Sequence, residues 1–244
     1  MFKTNRDFPF IHDAEVVEWD IRSANTSVML HYNLVEPKLA ERLARLSKME
    51  REIAVGRLQK KRPEFAKQLE EAFNRIIEEF MEANGLDDDN IVSVKRDAVF
   101  VKNHPINIPR FGEVEFVPKN RYKHVILIPR YEVYISDEVT DVKGISDEAL
   151  EQHAAGMIYF LRTAAYTAHD FYELQRFFHQ YVDAYKKKEL DFDAYREFTS
   201  DSKFRIRLDG QELLLDTIVE EDMPNLDILF NYENVVMPVI QATF

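Results

Sequence analysis

Two aspartates stand where carboxylates can do metal chemistry. Asp20 closes the run AEVVEWDI (residues 14–21), and Asp97 lies between IVSV (91–94) and AVFV (98–101). These runs are rich in β-branched and aromatic side chains and predict buried strands, the second pair forming a hairpin with Lys95-Arg96-Asp97 at its tip. Neighbouring antiparallel strands lie about 5 Å apart. Two carboxylates at adjoining strand ends can therefore share one site although they lie far apart in sequence. Oxygen donors suit Mg2+ (or Mn2+), which keeps several waters and fills its shell from substrate phosphates. The plainer alternatives are that Asp20 caps a following helix and that Asp97 is an ordinary turn residue.

The elements around these residues follow from the pattern. RSANTSVMLHYNL after Asp20 lacks strand alternation and predicts a short helix, with Ser23 or Asn25 as its cap. From Pro37 to Asn84 apolar residues recur at helical spacing; Pro63 divides this stretch into two arms and Asn84-Gly85 ends it. Residues 113–135 predict two or three strands broken by Pro118 and Pro129. A long helical region is expected from Ser146 to Lys188, opened by Ser146-Asp147-Glu148 and broken near Thr167 to Asp170. The tail alternates strand-like pieces such as FRIRL with acidic turns. The order strand, helices, hairpin, strands, helices is α+β rather than a regular βαβ alternation.

Composition narrows the function. At 244 residues with 45% hydrophobic side chains the chain can bury a real core. It contains no cysteine, which removes disulfides and thiolate metal sites and weakly favours a reducing compartment. No apolar run is long enough for a secretory signal or a membrane span, so a cytoplasmic, non-membrane protein is expected. The net charge of −12 argues against a polyphosphate-binding protein, yet Arg42 to Lys67 carries nine Lys and Arg against three Glu. That stretch is either an anion-binding face or a solvated helix with i,i+4 ion pairs. Nucleotide-binding GxGxxG and GxxxxGK[ST] loops and the HExxH and GxSxG motifs are missing.

The segment Glu18-Trp19-Asp20-Ile21-Arg22-Ser23-Ala24-Asn25-Thr26-Ser27 resembles motif A of family-B DNA polymerases, a strand ending in Asp followed by xxSLYPS. Ser93 to Phe100 resembles their motif C, YxDTDS, with Asp97 as the second aspartate. Lys119-Asn120-Arg121-Tyr122 looks like the KKRY element, and Asp141-Val142-Lys143-Gly144-Ile145 like the KxKG(I/V) segment. The four matches fall in the family's order over about half the chain. The resemblance implies a polymerase-palm-like antiparallel sheet within residues 1–145, a helical insertion at about 36–84 as short fingers, and a thumb-like region with a tail over 146–244.

It also implies roles. Asp20 and Asp97 would be catalytic and bind Mg2+ (or Mn2+). Ser23, Asn25, Lys119, Arg121, Tyr122 and Lys143 would contact substrate. Arg57, Lys60 and Lys61 would meet the incoming triphosphate. Partners would be primer-template nucleic acid, nucleoside triphosphates and a further replication protein; a compact palm of this kind suits a phage genome, hence the host cytoplasm.

The departures define the rival readings. Lys95 stands where motif C has its first aspartate, Asn25 replaces the sugar-gating tyrosine, and no KxxxNSxYG counterpart is found. These features favour a catalytically degenerate palm used as a binding or assembly module, since a fold outlives its chemistry. An acidic mimic of nucleic acid is a third reading, suggested by charge alone. Asp87-Asp88-Asp89 reads as a turn, His153, His169 and His179 as surface or core histidines, and the aromatics from Tyr159 to Tyr185 as core packing.

Overall fold

The computed structural model describes residues 3–129, 131–144, 161–187, 206–208 and 211–213. The expected cap at Ser146 and residues His153, Tyr159 and Phe160 lie outside these ranges, as does most of the predicted thumb-like region. The fold is α+β, and the chain divides into two compact units. One comprises residues 1–5 and 15–121, the other residues 6–14 and 122–244.

The first unit is built on a six-stranded sheet in the order β1-β4-β5-β3-β7-β6. Its strands are β1 (Lys3–Thr4), β3 (Val16–Ile21), β4 (Ile91–Val94), β5 (Ala98–Lys102), β6 (Arg110–Phe111) and β7 (Val114–Tyr122). The predicted hairpin is present: β4 pairs antiparallel with β5 across the tip Lys95–Asp97. β3 pairs antiparallel with β5 from Val16↔Lys102 to Asp20↔Ala98. Pro118 does not interrupt β7. Pairing with β6 stops at Arg110↔Glu115, so β7 is an edge strand at Pro118 and its missing N–H breaks no bond on that side.

Between β3 and β4 the chain forms α1 (Ala24–His31), α2 (Pro37–Ala44), α3 (Lys48–Lys61) and α4 (Pro63–Ala83). The stretch Pro37 to Asn84 thus holds three helices, where the apolar spacing predicts two arms. The extra break falls at Ser47, whose side chain and Glu50 form a reciprocal capping box that starts α3. Gly85, at φ 63, ends α4 as expected, because only glycine enters this conformation without Cβ strain.

α4 turns Phe65, Leu69, Phe73, Ile76, Ile77 and Phe80 to one side, the i, i+3, i+4 repeat of an amphipathic helix. They share one core with Ile21 of β3, Ile91 and Val94 of β4, Val99 and Val101 of β5, and Val114 and Phe116 of β7. Phe80 stacks on Phe116 with ring centroids 4.0 Å apart. The sheet that carries Asp20 and the hairpin tip is thereby backed by a rigid helix. α3 contributes one fully buried residue to this core, Val55, and leaves its charged side chains outside.

The second unit has a four-stranded sheet, β10-β9-β8-β2, from β2 (Phe10–Ile11), β8 (His124–Ile128), β9 (Tyr131–Ile135) and β10 (Thr140–Lys143). Ile126, Ile128, Val133 and Ile135 pack with Leu161, Ala164, Ala165 and Ala168 and with Leu174 and Phe178. Small alanines let the helical run 161–167 lie close on the sheet. The expected break near Asp170 is present: Asp170 Oδ1 accepts from the Glu173 N–H at 2.8 Å and α5 (Phe171–Lys187) begins. Of the aromatic series, Phe178 is buried and Phe171 and Phe177 pack on the core, while Tyr172 is 72% exposed. Two three-residue strands, β11 (Ile206–Leu208) and β12 (Gln211–Leu213), form a separate hairpin.

Candidate functional site

Asp20 is the penultimate residue of β3 and not a helix cap. α1 begins at Ala24, and its N-cap is Ser23, held at φ 51 with no side-chain cap bond. The cap alternative for Asp20 therefore falls away. Asp20 sits opposite Ala98, and the next residue, Ile21, donates its N–H to the carbonyl of Asp97 at 2.9 Å. The β3 end and the hairpin tip are thus pinned to each other by main-chain bonds, which places both aspartates at the strand-end edge of the sheet's two central strands. On the other side of β3, the Arg22 N–H donates to the Glu115 carbonyl at 2.9 Å.

A cleft of about 560 Å³ opens at this edge. Asp20, Asp97, the segment Ile21 to Asn25, Val117 to Lys119 and the start of α3 line it. Lys48, Arg51 and Glu52 of α3 face it because they follow the Ser47 capping box at i, i+3 and i+4 spacing on one helix side. Glu50, on the capping box, is held below the usual carboxylate range by its hydrogen bonds to Ser47.

Lys119 ties the floor of the cleft together. Its ammonium donates to Glu18 Oε1 and lies 3.1 Å from both that atom and Asp20 Oδ2. Asn120 donates to the other Glu18 oxygen at 2.8 Å. Partial burial works against the charge of Lys119, but hydrogen bonds to Asp20 and Glu18 and their charges outweigh it and hold the ammonium above its ordinary pKa. Glu18 and Asp20 share a side of β3 because strand side chains alternate.

At the hairpin tip Arg96 reaches two helices. Its guanidinium donates to Asn25 Oδ1 at 3.4 Å and lies 4.5 Å over the Phe73 ring of α4. Lys95 keeps its main-chain N–H on the Ala98 carbonyl at 2.8 Å and is not among the residues lining the cleft.

The structure brings together Asp20, Asp97, Ser23, Asn25 and Lys119 from the sequence-derived set. It does not bring Arg57, Lys60 and Lys61 to the cleft; all three are exposed further along α3. Arg121 pairs instead with Glu15. Tyr122 and Lys143 belong to the second unit, where the buried Tyr122 hydroxyl donates to Asp141 Oδ2 at 2.5 Å and Lys143 ends β10 in solvent. Sequence reasoning left Arg22 and Glu18 out of the site and held Lys48 and Arg51 only as members of the basic stretch Arg42 to Lys67. The signal for Lys48 and Arg51 was present, since Ser47-Lys48-Met49-Glu50 spells a capping box and fixes which cations open the helix.

Both carboxylates and the neighbouring main chain offer only oxygen donors, the set that suits Mg2+ or Mn2+. Among the described residues no three His, Cys, Asp or Glu side chains are grouped to hold a metal. A cation held by Asp20 and Asp97 alone would have to take most of its shell from water and substrate. Glu115, meanwhile, pairs with both Arg22 (2.9 Å) and Arg110 (3.2 Å), fixing cations beside the cleft.

The family described as Bacteriophage PBS1 gene 130 protein matches residues 2–244. The chain belongs to this phage protein family. No curated protein matches it. The match spans the residues of both units. Among the described residues no helix is long and apolar enough to cross a membrane.

Proposed function

We propose that this phage protein is a nucleotidyltransferase of DNA-polymerase palm type, extending a nucleic-acid 3′ end by two-metal phosphoryl transfer. The observation that carries the reading is the Ile21–Asp97 main-chain bond, which sets Asp20 and Asp97 on adjoining strand ends over a cleft edged by cations. Asp20 and Asp97 would hold Mg2+ or Mn2+. Bound there, the cations supply charge neutralisation at the attacking hydroxyl and the triphosphate. Lys48 and Arg51 would bind and orient the phosphates, the role that the polymerase resemblance implies for Arg57, Lys60 and Lys61. Asn25, held by Arg96, would line the sugar side.

On this reading the partners are primer-template nucleic acid, nucleoside triphosphates and a further replication protein, and the work is phage DNA replication in the host cytoplasm. The test is primer extension by the purified full-length chain with Mg2+ or Mn2+. Wild type should incorporate nucleotides, and Asp20→Ala and Asp97→Ala should abolish incorporation. Equal extension by wild type and both variants would sink the reading.

One observation favours a second reading, a catalytically degenerate palm serving as a binding or assembly module: the Lys119 ammonium already sits on Asp20. That protein would bind primer-template without incorporating nucleotides.

A further inference from the structure

We infer that Lys119 is a displaceable counter-ion that keeps divalent cations off Asp20 until a phosphate-type anion draws it away. Cation and anion would then bind the cleft cooperatively. The inference rests on the palm reading to the extent that Asp20 is taken as a cation ligand.

The contact is asymmetric. Glu18 is the buried anchor, its side chain 8% exposed with one oxygen engaged by Lys119 and the other by Asn120. Asp20 is 26% exposed and faces the cleft. The lysine side chain between them is 53% exposed. A lysine carries a compact point charge on a flexible stem, so its head can leave the exposed carboxylate while staying tethered to the buried one.

While the ammonium holds Asp20 Oδ2, a divalent cation at Asp20 meets both a blocked oxygen and a like charge at short range. An anion entering the cleft, attracted by Lys48, Arg51 and Arg22, offers Lys119 a competing charge-assisted partner. The reorientation then exposes Asp20. Linkage makes the effect reciprocal: whatever factor the anion adds to cation affinity, the cation adds to anion affinity.

The test is Mn2+ binding to the full-length chain, read by the loss of the free Mn2+ paramagnetic resonance signal. It is run with sulfate as a weakly chelating phosphate stand-in and with chloride at matched ionic strength. In chloride, Lys119→Met should bind Mn2+ about tenfold tighter than wild type. Sulfate should tighten Mn2+ for wild type and leave the variant unchanged. Because removing Lys119 leaves Glu18 without its cation, the Glu18→Gln/Lys119→Met double variant keeps the local charge balanced and should show the same tightening.

If Lys119→Met and the double variant bind Mn2+ no tighter than wild type, the counter-ion inference is overturned while the palm reading stands. If the tightening survives when Asp20→Asn is added, it does not act through Asp20 and the inference is equally overturned. If no form binds Mn2+ in either salt, the counter-ion inference is overturned, and primer extension by wild type against Asp20→Ala separately decides the palm reading.

Discussion

The Ile21 N–H donates to the Asp97 carbonyl at 2.9 Å, and this bond joins the end of one strand to the tip of a hairpin more than seventy residues away in sequence. The side chain of Asp97 is exposed, so its charge is not needed for folding. Asp97→Asn should therefore leave the melting temperature nearly unchanged, as surface changes usually fall within about 0.5 kcal/mol. The same variant should lower primer extension on the order of 10³-fold, the rate equivalent of losing several kcal/mol of transition-state charge stabilisation. Melting curves and single-turnover incorporation measured on one preparation check both halves.

Arg96 connects the tip to α1 through Asn25 and to α4 through Phe73. A cation over an aromatic ring contributes about 0.5–1 kcal/mol at a partly exposed site. Arg96→Ala should lower stability by about 1 kcal/mol and loosen the tip. Hydrogen exchange reads this directly: the Ile21 and Lys95 amides, which donate to Asp97 and Ala98, should exchange faster in the variant. Unchanged exchange at both would show that Arg96 does not brace the hairpin.

What the sequence discloses depends on how far apart the interacting residues lie. β3, β4 and β5 are legible because Val16, Val17, Ile91, Val99 and Val101 are β-branched residues in short uninterrupted runs. The β10 strand and the two-residue strands β1 and β2 are not, because Lys3–Thr4 and Phe10–Ile11 are too short to show a period. Glu18 looks like one more strand residue until Lys119, 101 positions later, arrives at its carboxylate. The histidines disclose least. His12 and His169 lie 157 residues apart and meet at 3.2 Å through Nε2 and Nδ1, a contact no spacing rule anticipates.

The capping box at Ser47 makes a local prediction with a distant consequence. Ser47 Oγ and the Glu50 carboxylate satisfy the first turn of α3, the turn that delivers Lys48 and Arg51 to the cleft. Loss of such a cap costs about 1 kcal/mol. Ser47→Ala should fray this turn and weaken nucleoside triphosphate binding several-fold, while Ser47→Asp, which also caps, should restore it. Affinity measured by isothermal titration separates the two variants.

His124 should make the second unit sensitive to acid. The residue is 3% exposed; its ring packs at a tilt against His12 (centroids 4.8 Å) and edge-on against Tyr166 (4.5 Å), and accepts the Asp13 N–H at 3.3 Å through Nδ1. Burial, then the neighbouring His12 and Lys123 charges, push its pKa down to about 4, against the opposing pull of Asp13 and Asp137. An unfolded histidine titrates near 6.5. The unfolded chain therefore binds this proton first as pH falls, so stability is complete above about pH 6.5 and is lost progressively toward pH 4. The full shift corresponds to about 3 kcal/mol as an upper bound. Asn at this position keeps an acceptor for the Asp13 N–H and cannot be protonated, so His124→Asn should flatten the dependence. Urea unfolding of both proteins at steps between pH 7.5 and 4.5 tests this, and parallel curves would show that another group carries the acid sensitivity.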